Sequence, residues 1–133
     1  MDIYQCSFVA FIEDAMSISK PAKDYLLQWS LDLYVKGFKD VQVIEGRVPH
    51  ITAKRPDGKK MKGFSAFTPK DLHISLWNNL EESFEEGFMT FLVVPFDLMD
   101  SAEGILRVWN IRKKVNLEGV LLSDLDFKSY YES

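Results

Sequence analysis

Cysteine is almost missing from this sequence: Cys6 is the only one in 133 residues. One thiol cannot close an internal disulfide, so the fold has to stand on its hydrophobic core, and a reducing compartment suits it. Cys6 lies in an apolar stretch with no histidine near it in sequence, which reads as a small buried hydrophobe rather than a nucleophile. Histidine is scarce too, with only His50 and His73. No third histidine or cysteine keeps them company, so neither a nitrogen–sulfur metal site nor a cofactor is expected. No apolar run reaches the roughly 18 residues that cross a bilayer. Met1 to Tyr4 has no basic residue of the kind that opens a secretion signal. The expectation is a cytoplasmic protein with no membrane contact. Glycine-rich phosphate loops, Cys-x-x-Cys pairs and nucleophile-elbow motifs are all missing. Repeats, low-complexity tracts and linkers are missing as well, so residues 1–133 read as one domain.

What the chain does have is a hydrophobic fraction of 47%, enough for a domain of this length to bury roughly two-thirds of its unfolded surface. Its net charge of −4 argues against bulk attraction to nucleic acid, but the charge is striped. From Gly46 to Lys70 there are seven cations (Arg47, Lys54, Arg55, Lys59, Lys60, Lys62 and Lys70) against the single acid Asp57. From Asp71 to Gly104 there are eight acids and no lysine or arginine. A basic stripe can hold an anionic ligand; equally, two stripes of opposite sign can pair with each other.

Apolar periodicity supplies the elements. Residues 3–12 alternate loosely as a buried strand. Ser19 and Pro21 open a helix on which Ala22, Tyr25, Leu26, Trp29 and Leu33 recur, and Gly37 stops it. Strands follow at 41–44, 48–54 and 61–67, with a turn at Asp57-Gly58. Thr68-Pro69 predicts a helix running to Gly87. Residues 88–95 are nearly all apolar and need cover on both faces, as a central strand does. Ser101 caps a short helix to Trp109, and 115–122 is the last strand. The order β-α-β-β-β-α-β-α-β predicts an α/β fold of the α+β type, a single mixed sheet with three helices packed on it.

Two resemblances bear on function. Over residues 20–122 this element order resembles the PD-(D/E)XK nuclease superfamily, a restriction-endonuclease-like framework. Val48-Pro49-His50-Ile51-Thr52-Ala53 and then Arg55-Pro56-Asp57-Gly58-Lys59 are similar to its Pro-Asp strand and following hairpin. The resemblance implies carboxylates converging on Mg²⁺ with a lysine beside them. In this sequence His50 stands where the aspartate belongs, and Phe64 and Ala66 fall near the positions of the glutamate and lysine. Imidazole is a poor ligand for Mg²⁺. The resemblance therefore implies a framework with a degenerate active site that serves binding. The second resemblance is to two-histidine phosphoesterases, through His50-Ile51-Thr52 and His73-Ile74-Ser75. It implies one histidine as base, the other as acid, and the hydroxyls of Thr52 and Ser75 on a phosphate.

The favoured expectation is a non-catalytic binding module. Its ligand-facing residues are Arg47, Lys54, Arg55, Lys59, Lys60 and Lys62, and its partner is either a nucleic-acid backbone or a protein. The enzyme alternative is a phosphodiesterase built on His50, Thr52, His73 and Ser75. A third reading is a protein-binding subunit that docks through the acidic helix 70–87, where Glu81, Glu82, Glu85 and Glu86 cluster. Trp29, Trp77 and Trp109 all fall on predicted helices, where core packing or a partner groove would use them. The aromatic tail 126–133 is either tucked onto the domain or exposed for association.

Overall fold

Burial at four positions fixes the first helix. Ala22, Leu26, Trp29 and Leu33 are all sealed from solvent on α1, Lys20–Val35. Their i, i+4, i+7, i+11 spacing makes one stripe, while Tyr25 sits half-buried at its flank. Ser19 precedes the helix in extended backbone and Pro21 lies in its first turn, where a missing N–H costs nothing. Gly37, at φ +88, turns the chain into the sheet. The computed structural model of the protein describes residues 18–123. The strand expected at 3–12, Cys6 and the tail 126–133 lie outside the described residues.

Strands β1 (Lys39–Ile44), β2 (His50–Lys54) and β3 (Lys60–Ser65) form an antiparallel meander. Strand β4 (Met89–Val94) pairs parallel with β3, and β5 (Leu121–Ser123) pairs parallel with β4. Spatial order equals sequence order. The two parallel pairs require crossovers, which α2 (Ile74–Glu85) and α3 (Met99–Lys113) supply. Among the described residues this is the mixed α+β sheet with three helices that the sequence predicts, in the predicted order from the first of those helices onward.

The sheet separates two cores. On one face α1 packs on Ile51, Ala53, Met61, Phe91 and Val93. On the other, Leu76, Trp77 and Leu80 of α2 and Ala102 of α3 cover Phe64, Leu92 and Val94. Strand β4 thus feeds both cores with alternate residues, as its apolar run demands. Gly63 of β3 faces Trp29 so closely that any Cβ there would lie 2.7 Å from Cζ3 of its ring.

Several boundaries differ from the periodicity. The helix predicted from Thr68 to Gly87 is broken: Pro69–Asp71 is a 3-10 turn, and α2 starts only at Ile74. Asp71 is the cause. It is 2% exposed, and its carboxylate accepts the backbone N–H groups of Phe67 (2.8 Å) and Thr68 (3.0 Å). It also accepts the N–H and hydroxyl of Ser19, both at 2.6 Å. These four bonds tie the start of α1 to the end of β3 and hold the turn apart from the helix. Helix α3 is longer than predicted, because the turn Phe96–Leu98 runs directly into it and Ser101 lies inside it rather than at its cap. The last strand is shorter, at 121–123. Residues before it are irregular around Gly119 (φ +72), and the Asn110 side chain takes the Leu117 N–H.

Candidate functional site

Helices α2 and α3 lie over β4 and β5, and tight hairpins rather than helices connect β1, β2 and β3. Among the described residues, one half of that sheet face is therefore left open. Strand alternation decides which side chains stand on it. Ile51 and Ala53 of β2 point into the α1 core, so His50, Thr52 and Lys54 point the other way. By the same rule Gln42 and Ile44 of β1, and Lys60 and Lys62 of β3, belong to the open face.

Register brings three lysines abreast. Lys39 is the cross-strand partner of Lys54, and Lys54 is the partner of Lys60. With strands about 4.8 Å apart, the row spans roughly 10 Å. Among the described residues none of the three is in an ion pair. Directly opposed like charges cost stability, so the row is held in place by the fold at some expense. Lys54 and Lys60 line a shallow hollow of about 340 Å³ together with Gln42, Thr52 and Phe88, and Asp40 is the acid on its rim. A bulge lies between Lys39 and Gln42 beside the hollow, and Asp40 takes the left-handed conformation there, at φ +53.

The other cations of the basic stripe are placed differently. Arg55 is paired with Asp57 in the β2–β3 turn, and that contact, with the Lys59 backbone N–H, lowers the Asp57 carboxyl to about pKa 2. Lys59 is exposed in the same turn. Lys62 reaches Glu86 at 3.7 Å and stands 4.5 Å over the Phe88 ring. Arg47 is exposed in the β1–β2 turn, at the opposite end of β2 from Lys54. The structure thus brings together Lys54, Lys60 and Lys62 of the six predicted binding residues, leaves Arg55 and Lys59 in the adjoining turn, and separates Arg47. Lys39, which sequence reasoning passed over, joins the row.

His50 closes the other end of the face. Its Nδ1–H donates to the Val48 carbonyl at 3.0 Å, which leaves Nε2 as the acceptor of the neutral ring. Burial holds its pKa below the ordinary 6.5; the Val48 carbonyl works against this and the Lys62 ammonium adds to it. The ring stacks on Phe64, with centroids 5.2 Å apart and planes 25° from parallel. His50 and Phe64 are the residues that the nuclease resemblance puts at two metal-binding acids, and an imidazole on a phenyl ring does not fit Mg²⁺. Asp71, beyond the end of β3, already accepts four hydrogen bonds. Among the described residues no three His, Cys, Asp or Glu side chains converge as a metal would need.

The two His-x-Ser/Thr motifs do not match in geometry. His50 and Thr52 share a strand face. His73 instead stands at the N-cap of α2 and Ser75 lies in its first turn, where residues two apart diverge. On α2, Glu81 accepts the Trp109 indole N–H at 2.8 Å and Glu86 meets Lys62, while Glu82 and Glu85 face solvent. Trp29 and Trp77 are core residues. No helix of the described residues is long and apolar enough to cross a membrane. Comparison with family models, with curated proteins and with solved structures finds no match for this chain.

Proposed function

We propose that this domain is a non-catalytic binding module that holds the phosphate backbone of a nucleic acid on its open sheet face. The observation that carries the reading is the row Lys39, Lys54 and Lys60, three cations in register across three strands with Lys62 beside them. A sheet that keeps like charges abreast pays in stability; binding an anion relieves that repulsion. Gln42 and Thr52 lie between the lysines and the histidine and add hydrogen-bonding groups that suit phosphate or sugar oxygens. The resemblance of residues 20–122 to the nuclease superfamily agrees with this reading, since it would put His50 and Phe64 where metal-binding acids belong and so imply binding without cleavage.

The test is fluorescence anisotropy with labelled single- and double-stranded DNA and RNA over a range of salt. Three to four phosphate contacts predict a log–log salt slope of about −2 to −4. Replacing Lys39, Lys54 and Lys60 together by alanine should abolish binding while the fold, read by circular dichroism, stays intact. Absence of binding at low salt, or unchanged binding by the triple variant, would end the proposal. A single-turnover incubation with Mg²⁺ belongs in the same experiment, because cleavage would contradict the non-catalytic half of the reading.

A further inference from the structure

Helix α1 is apolar on two opposite sides. Its inner stripe is buried, yet its outer side exposes Leu27 (56%), Leu31 (63%), Tyr34 (72%) and Val35 (82%) to solvent. Their i, i+4, i+7, i+8 spacing makes them one continuous stripe where a surface helix normally carries polar residues. The exposed apolar residues of α3 are a different case: Val108 and Ile111 stand among Arg107, Arg112 and Lys113. At these exposures the α1 stripe presents on the order of 500 Å² per copy, near the top of what a monomer leaves bare.

We propose that the outer face of α1 is the contact of a two-fold symmetric homodimer. Area supports this occupant, since two copies of the stripe would bury about 1,000 Å² together, the threshold for a specific interface. The pattern is self-complementary, as such an interface must be. An antiparallel pair with Leu31 at the axis sets Leu27 of one copy against Val35 of the other. The groove beside Leu27, about 470 Å³ and walled by Val43 and Pro49, then receives the second copy's Tyr34 ring. Charge supports the antiparallel sense. Asp24 is exposed on the same side of α1 as Leu31, about 10 Å before it along the helix. A parallel pair would set Asp24 on Asp24, whereas the antiparallel pair keeps the two carboxylates apart.

Sedimentation velocity on the full chain across the micromolar range tests this, independently of what the lysine row binds. The expected result is a monomer–dimer equilibrium whose dissociation constant rises at least about tenfold in Leu31→Asp, with thermal stability unchanged when both proteins are dilute enough to be monomeric, because Leu31 is exposed. In a Cys6→Ser background, Leu31→Cys should cross-link to itself under mild oxidation, while Gln28→Cys should not. A wild type that stays monomeric overturns the proposal. So does a Leu31→Asp variant that loses thermal stability without a change in association, since that result assigns the stripe to another segment of the same chain. A wild-type dimer that Leu31→Cys fails to cross-link overturns it too, by placing the contact elsewhere.

Discussion

Adding a single methyl group at Gly63 should test the packing between α1 and the sheet. Gly63 sits inside β3, paired with Ile51 on one side and Phe91 on the other. A Cβ built there would lie 2.7 Å from Cζ3 and 3.0 Å from Cζ2 of Trp29, and closer still to Cη2. Carbon pairs at rest stand about 3.5–4.0 Å apart. Neither partner can give way easily: the glycine is held by strands on both sides, and Trp29 is 0% exposed with Tyr25 tilted against it, centroids 6.0 Å apart. Overpacking of this kind costs about 1–3 kcal/mol. Because φ at Gly63 is not positive, Gly63→Ala also recovers about 0.4–1 kcal/mol from the unfolded chain. The net expectation is a destabilisation of about 1–2 kcal/mol, or roughly 3–10 °C in Tm for a domain of this size. Urea titration followed by circular dichroism measures it. Trp29→Phe removes the part of the ring that the methyl meets, so the double variant should be more stable than the sum of the singles by at least about 1 kcal/mol. A Gly63→Ala protein as stable as the wild type, or strict additivity in the double variant, would refute the reasoning.

Other perturbations have equally definite outcomes. Asp71→Asn keeps one acceptor oxygen but turns an amide toward backbone N–H donors, so it should cost about 3 kcal/mol in a denaturant titration. His50 is held below its ordinary pKa, so its neutral form favours the folded state. Its contribution is complete above about pH 6.5 and is lost as pH falls below that toward the folded value. Titrations at pH 7.5 and 5.5 should show wild type losing more stability than His50→Gln; equal losses would assign the pH dependence to other groups. Lys54→Ala should remove one phosphate contact, flattening the salt slope of nucleic-acid binding by about 1. It should also raise stability at low salt by up to about 0.5 kcal/mol, an increment that disappears at high salt as the lysine row is screened.

The parts of the fold that were legible in the sequence are those written in local periodicity. The buried stripe of α1, the glycine at its end, the Asp57-Gly58 turn and the two-sided burial of β4 all follow from residues close together in the chain. What was not legible depends on distant partners. The break before α2 is held by Asp71, and half of its hydrogen bonds come from Ser19, 52 residues away, which local periodicity does not see. The lysine row depends on register, and register depends on a bulge at a residue, Asp40, whose type does not announce a positive φ. Lys39, outside the basic segment 46–70, was therefore passed over. The close approach of Gly63 and Trp29 is invisible for the same reason, since a glycine in a strand looks only like a weak point.

The opposed charge stripes left two readings open: mutual neutralisation, or a basic surface kept for a ligand. The fold separates them by topology. The acidic segment supplies α2, which crosses over β4, whereas the basic segment supplies the β2–β3 hairpin and lies one to two strands away. The two meet where they are neighbours, at Lys62 and Glu86, and Glu81 is used by Trp109 instead. Farther from that seam, Lys54 and Lys39 stand over a part of the sheet that no helix of the described residues covers. A Debye length of about 8 Å at physiological salt limits what Glu82 and Glu85 can do for them across that span. The negative sum of the chain thus coexists with a locally positive face, and it is the face, not the sum, that an anionic partner would meet.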